Sequence, residues 1–222
     1  MAAWEAVLFD FDGVLVDSEP VHFRGWRELL APLGIGVDWQ TYSDTYIGVP
    51  TRHMLKHFCD RAANGTTLAQ LLELLPRKRQ MFLDLMCREL PFAADCRTML
   101  AGLSHLRLAV VTSSGRPEVE PVLVAAGLRE YFDVLVCGGD VRSQKPSPEP
   151  YARAAELLGV STALVVEDSD AGVESARAAG FEVIRVANPG EVWPALPDQL
   201  RLDAQQDLYG VGWLQDPVPT GV

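Results

Sequence analysis

Five short runs of the chain are dominated by Val, Leu and Ile: residues 6–9, 108–111, 134–136, 163–166 and 182–186. Each gives way to Asp, Ser, Thr, Gly or Asn. Short runs that are apolar on both faces suit buried parallel strands, because helices cover such a sheet on both sides. Between the last four runs the apolar period lengthens to that of a helix, at residues 118–126, 148–158 and 171–179. Gly127, Gly159 and Gly180 close these segments, where a chain leaving a helix adopts positive φ. Strand–helix alternation predicts a doubly wound, parallel-sheet, Rossmann-like α/β core with right-handed crossovers. Ligands of such sheets bind at the carboxyl ends of the strands, so chemistry is to be sought there.

One stretch breaks the alternation. Nearly a hundred residues separate the first strand from the next, and much of that length has a helical pattern: residues 20–33, 42–46, 52–63 and 68–88. A single crossover needs far less. The economical reading is a small helical cap domain inserted after the first strand, leaving near Asp17 and rejoining near Pro91. The predicted division is therefore a core of residues 1–16 and 91–222 and a cap of residues 17–90. The tail from Asn188 carries Pro189, Pro194, Pro197, Pro217 and Pro219 and is expected to be mostly irregular.

Composition narrows the function classes. The chain has 222 residues, of which 48% are apolar and 22% charged, enough apolar surface for a folded core. A formal charge of −11 and no basic run exclude a nucleic-acid partner, since a phosphate backbone would be repelled. No run approaches the ~18 apolar residues of a membrane span, and Met1–Glu5 have neither the basic region nor the apolar run of a signal peptide. Cys59, Cys87, Cys96 and Cys137 form no C-x-x-C pair and fit no zinc spacing. They are expected to be buried, reduced thiols of a cytoplasmic protein.

Four groups of residues at strand ends carry chemistry. The first strand runs out into Asp10-Phe11-Asp12-Gly13, with two carboxylates two residues apart and able to face the same way. Paired carboxylates are costly unless a cation or proton lies between them, and Mg²⁺ is the natural hard cation. A D-x-D-G run also occurs in calcium loops, but here Val14-Leu15-Val16 follow in place of further ligands. Thr112-Ser113-Ser114-Gly115-Arg116-Pro117 end the second strand. They offer hydroxyls and N–H groups as an anion cradle, or simply helix capping by Ser114. Lys145, ahead of Pro146, could neutralise a phosphoryl oxygen or lie solvated on the surface. Glu167-Asp168 end the fourth strand, where they suit a metal shell, with Ser169 or Asp170 starting the next helix.

In this order, these motifs resemble the haloacid dehalogenase superfamily, largely Mg²⁺-dependent phosphotransferases, up to about Ala187. Asp10/Asp12, Thr112, Lys145 and Glu167/Asp168 match its four motifs, and its helical cap follows the first of them. The resemblance implies that Asp10 is the nucleophile and is converted to an aspartyl phosphate. Asp12 then serves as general acid and base, and Lys145 offsets the repulsion between the two anions. Thr112 and Ser113 hold the transferring group. Asp10, Asp12 (through its carbonyl) and Asp168 would ligate Mg²⁺, with Glu167 ligating it or orienting a metal water.

Within the superfamily, the run from Asp12 to Trp26 looks closest to the β-phosphoglucomutase-like group. His22 matches a cap-hinge histidine. Gly48-Val49-Pro50-Thr51-Arg52 resembles a cap loop whose arginine contacts a substrate phosphate or sugar, with one extra residue before it. Lys78 is similar to a cap lysine that faces the site. The alternative readings are that His22 pins the cap helix and that Lys78 lies on a solvated basic face. The mutase has a Lys-Asn pair after the second motif where this chain has Gly115-Arg116, and Arg116 is the substitute for the lost charge. The implied activity is a phosphatase acting on small phosphorylated metabolites. A sugar phosphomutase is the alternative, and a phospho-aspartate signalling module the non-enzymatic one. The expected assembly is a monomer or weak homodimer.

Overall fold

The computed structural model describes residues 4–47, 49, 51–62, 65–197 and 200. In chain order the elements are β1 (Ala6–Phe9), α1 (Glu19–Leu30), α2 (Trp39–Tyr46), α3 (Thr51–Arg61), α4 (Leu68–Leu72), α5 (Leu75–Glu89) and α6 (Cys96–Gly102). They continue with β2 (Arg107–Val111), α7 (Arg116–Ala125), β3 (Val134–Val136), α8 (Glu149–Leu158), β4 (Ala163–Glu167), α9 (Asp170–Ala178), β5 (Glu182–Arg185) and α10 (Val192–Ala195). The chain divides into two compact units, Met1–Val16 with Phe92–Val222, and Asp17–Pro91.

The first unit is the doubly wound α/β core. Its five strands are all parallel in the order β3-β2-β1-β4-β5, which places β1 at the centre. Every residue of β1 and β4 is buried, as expected for strands covered on both faces. One layer of the core joins Leu8, Val111 and Val165 of the sheet to Tyr151, Ala154 and Ala176 of α8 and α9. The helix-closing glycines Gly127, Gly159 and Gly180 have φ of 61°, 70° and 87°.

Two features of this unit differ from the sequence reading. Helix α6 has no counterpart in it, although Cys96, Met99 and Leu100 are buried on one side at i, i+3 and i+4. The tail from Asn188 is more ordered than its prolines imply. The Asn188 side chain accepts from the Gly190 N–H, and the Glu191 carboxylate accepts from the Ala187 N–H and Asn188 Nδ2. These bonds close a 3₁₀ turn that leads into α10 and buries Val192 and Leu196. Pro217 and Pro219 lie outside the described residues. All four cysteines are free, but Cys59 and Cys87 are only partly buried.

The second unit is entirely helical among its described residues, built on Phe23, Trp26, Tyr42, Tyr46, Leu55 and Phe58. Asp38 caps α2 by accepting from the Thr41 N–H, and Thr67 with Gln70 forms a capping box on α4. The single helix expected over residues 68–88 is two. α4 stops at Leu72, and α5 restarts at Leu75 with Pro76 in its first turn, where a missing N–H costs nothing. The unit's ends meet where the Asp17 N–H donates to the Pro91 carbonyl at 3.0 Å. Among the described residues no helix is long and apolar enough to cross a membrane.

Candidate active site

The order of the strands brings the ends of β1, β2 and β4 together, with β1 in the middle. Asp10 continues β1 far enough for its N–H to donate to the Val166 carbonyl of β4 at 3.0 Å. Its carboxylate is almost wholly buried, and Lys145 Nζ donates to its Oδ1 at 2.6 Å. The same ammonium donates to Glu167 Oε1 at 2.5 Å and to the Val111 carbonyl of β2 at 2.9 Å, so all three of its protons are placed. Only 6% of the Lys145 side chain is exposed. It is an ion-paired buried lysine, not a solvated one.

Glu167 is fully buried and faces donors on both sides. Oε1 accepts from Lys145 and from the Tyr151 hydroxyl at 2.7 Å. Oε2 accepts from the N–H groups of Asp168 and Ser169 and from the Ser169 hydroxyl. Both Glu167 oxygens thus accept hydrogen bonds, and Glu167 shares Lys145 with Asp10. Ser169 caps α9, accepting from the Gly172 N–H at 3.1 Å.

Carboxylate oxygens of Asp10, Glu167 and Asp168 all lie within 4.8 Å of one another. Burial pushes the Asp10 carboxyl up to about 8, with Lys145 opposing and Glu167 and Asp12 adding to the rise. Burial and then Glu167 push Asp168 up to about 6. Burial also works against Glu167, but Lys145 and the hydrogen bonds outweigh it and hold this carboxyl below its ordinary value. Lys145 is disfavoured by desolvation and yet held above its ordinary value by Asp10 and Glu167. Lys145 is ion-paired to both Asp10 and Glu167, yet of the three carboxyls only Glu167 is held below its ordinary value, and Asp10 and Asp168 stay raised and under-compensated.

The charge of Asp12 contributes to the raised Asp10 and Asp168 carboxyls, so it stands near both. The strand ends at Phe9 and the chain turns through Gly13, so strict alternation stops before Asp12. Asp12 is not among the three residues whose oxygens all meet within 4.8 Å, and its Oδ2 accepts from the Ser114 hydroxyl at 2.6 Å. Gly13 has φ of 79°, and a Cβ there would strike the Asp168 carboxylate, so glycine is required on both counts. Thr112 is buried, and its Oγ1 accepts from the Ser114 N–H at 3.0 Å, which leaves its own proton to donate. Ser113 is exposed at the loop.

The remaining predicted residues lie in other surroundings. Arg116 donates to Asp140 Oδ2 at 2.7 Å and to the Leu135 carbonyl at 2.9 Å, with Glu120 at 3.8 Å; none of these belongs to the carboxylate group. In the helical unit, Arg52 is exposed near the start of α3. Gly48 and Pro50 of its loop lie outside the described residues. His22 of α1 stacks on Phe82 of α5, centroids 4.1 Å apart, and its Nδ1 meets Lys78 Nζ. Lys78 also lies over the rings of Phe82 and Trp26, and burial followed by Lys78 pushes His22 down to about 3.

Three residues of the site escaped the sequence reading. Tyr151 is a core position of α8 by period, and the one available signal is that a buried tyrosine hydroxyl needs a partner. Gly172 sits where a Cβ would collide with the Glu167 carboxylate, a constraint invisible in a helical run. Ser114 reads as a helix cap, yet Gly115 takes that position and no side chain caps α7.

A doubly wound core that buries an aspartate and a lysine together at the end of its central strand, beside further carboxylates, defines a hydrolytic enzyme of the strand-end acid class. The chain belongs to the haloacid dehalogenase-like hydrolase family, whose model matches residues 7–186. It is 31% identical over 186 residues to the phosphorylated carbohydrates phosphatase of Thermotoga maritima, spanning 81% of this chain and 83% of that protein. It is 32% identical over 188 residues to fructose-1-phosphate phosphatase YqaB of Escherichia coli, spanning 82% and 96%. Its structure is similar to that of CbbY from Rhodobacter sphaeroides in complex with phosphate, with TM-score 0.69, 29% identity and 84% and 87% of the two chains covered.

Proposed function

We propose that the chain is a Mg²⁺-dependent phosphatase of small phosphorylated metabolites, sugar phosphates among them, working through a phosphorylated Asp10. The observation that carries this reading is the buried Asp10–Lys145 pair anchored by Glu167, with Asp168 under-compensated beside it. That donor set fits Mg²⁺, because its oxygens are hard and its raised carboxyls lack a cation. The Asp10 and Asp168 carboxylates and the Asp12 carbonyl would hold the ion, with Glu167 ligating it or orienting a metal water. When bound, the ion draws charge from the phosphoryl oxygens and from Asp10.

A free Asp10 oxygen attacks phosphorus in line while the bond to the leaving oxygen breaks. Lys145 offsets the negative charge that this brings together, and Thr112 Oγ1 and the Ser113 N–H donate to the transferring group. Asp12 gives its proton to the departing alkoxide. It then takes a proton from water as that water displaces Asp10 and frees phosphate. On a chain of net charge −11 the binding of an anion depends on such placed donors rather than on overall charge. Arg52 is proposed as the substrate contact of the helical unit, with the His22–Lys78 pair as a second candidate. The proposed setting is the cytoplasm, with no nucleic-acid or membrane partner.

The test is phosphate release from a panel of sugar and glycolytic phosphates, with and without Mg²⁺. Wild-type protein should turn over with Mg²⁺ and stop in EDTA. Asp10→Asn should lose several orders of magnitude, because an amide is a poor nucleophile. Near-normal turnover by Asp10→Asn would sink the assignment.

A further inference from the structure

The Ser114 hydroxyl stands in an unusual place. It precedes a helix, where a serine would ordinarily cap, but it donates instead to Asp12 Oδ2 at 2.6 Å across 102 residues of sequence. The loop that carries it is fixed from both sides. Its N–H donates to Thr112 Oγ1 at 3.0 Å, and its carbonyl accepts from the Gly138 N–H at 2.9 Å. Gly138 approaches so closely that a Cβ there would run into the Ser113 carbonyl. The backbone of Ser114 is thus set by β2 and by the segment after β3, and its hydroxyl is the group left to act outside the loop.

We infer that Ser114 is a positioning residue for proton transfer by Asp12, an inference that rests on the phosphatase reading above. A carboxylic acid has two oxygens, and only a proton on the one that meets the leaving group is useful. The Ser114 hydroxyl donates to Oδ2, and on this inference Oδ1 is the oxygen that carries the proton to the leaving group. As the bond from phosphorus to the leaving oxygen breaks, that proton passes to the oxygen, and the carboxylate left behind keeps the Ser114 hydrogen bond. The bond is stronger to the anion than to the acid, so it favours the transfer itself. Ser114 does this without touching the reacting atoms.

The dependence on leaving group separates this role from a structural one. A sugar alkoxide cannot depart at neutral pH without a proton, whereas p-nitrophenolate departs as a stable anion. The parameter to compare is kcat/KM, because it covers only the steps through phosphorylation of Asp10. Ser114→Ala should lower kcat/KM for a sugar phosphate by about tenfold to a hundredfold, the loss expected for a hydrogen bond to a charged group, and leave p-nitrophenyl phosphate within about threefold. Ser114→Thr, which keeps the hydroxyl, should restore most of the loss. In an Asp12→Asn background the Ser114→Ala change should add nothing. Equal losses on both substrates, no loss on either, or additive losses with Asp12→Asn would overturn the inference and leave the phosphatase reading in place. A wild-type protein that releases phosphate from neither substrate overturns that reading and this inference with it.

Discussion

Lys145 brings one positive charge to a strand-end cluster that also holds Asp10, Glu167 and Asp168. It is paired to Asp10 and Glu167, but one charge does not offset three, and the raised Asp10 and Asp168 carry a cost in the metal-free protein. The sign of that cost follows from their positions. Asp168 moves from 3.8 to about 6 on folding, so the folded state binds more protons between those values. Its burden is absent below pH 3.8 and complete above pH 6, and stability falls as pH rises through the window. Asp10 acts the same way up to about pH 8. At pH 7.5, Asp168→Asn should therefore raise the metal-free melting temperature by a few degrees, at roughly 2–4 °C per kcal/mol for a chain of this size. The same change should abolish the rise that Mg²⁺ gives the wild type. Scanning calorimetry of both proteins with and without Mg²⁺ checks this, and a metal-free variant less stable than wild type would contradict it. Asp10, Glu167 and Asp168 could be found from sequence because each is a charged residue at the end of an apolar run, and Lys145 because it stands before Pro146 in the segment between two such runs. Ser114, Tyr151 and Gly172 could not, because their importance lies in what they touch across the fold, and neither run length nor period encodes that.

The five strands stand within a residue of their apolar runs, because parallel strands buried on both faces have little freedom of boundary. The helical unit was harder to divide. Leu68 to Glu89 keeps a helical period throughout, and the break at Glu73–Leu74 depends on the Thr67–Gln70 cap and on Pro76 in a first turn. The register of α1 against α5 is also set by a feature no pattern shows. His22 and Lys78 share a proton-bearing contact and both lie on Phe82. His22 sits at about 3 where a free histidine sits at 6.5. The unfolded chain takes up a proton below pH 6.5 and the folded chain does not until about pH 3. Stability is thus lost as pH falls through that interval, by up to ~1.4 kcal/mol per unit. Between pH 7 and pH 5 the wild type should lose about 2 kcal/mol more than His22→Asn, in which no ring titrates. Urea unfolding at the two pH values measures the difference, and parallel losses in both proteins would show that His22 is not held neutral.

Nothing in the fold by itself separates a phosphatase from a mutase, since both pass through a phosphorylated Asp10 and differ in what attacks it. A mutase has to hold a sugar bisphosphate by either end, so it needs a second phosphate site comparable to the one at Asp10. This chain is poor in residues for such a site. It lacks the Lys-Asn pair that follows the second motif of the mutase, having Gly115-Arg116 there. Arg116 is the candidate to replace the lost charge, but its guanidinium is taken by Asp140 and the Leu135 carbonyl, with Glu120 nearby. Freeing it would leave the Asp140 carboxylate with only the Cys137 N–H from this network. Of the proposed contacts Arg52 remains, exposed at the start of α3, with Lys78 engaged by His22 and the rings of Phe82 and Trp26, and this is a weak counterweight for a second dianion on a chain of charge −11. Water should then be the main acceptor of the phosphoryl group. Given β-glucose 1-phosphate and a priming bisphosphate, the enzyme should release inorganic phosphate steadily and form little glucose 6-phosphate. Arg52→Ala should raise KM for sugar phosphates more than it lowers kcat, because a group that binds the distal end contributes alike to ground and transition states. Bisphosphate-dependent isomerisation tenfold faster than phosphate release would show that the acceptor is the sugar. It would also require Arg116 to leave Asp140 during turnover, which Asp140→Asn would then accelerate.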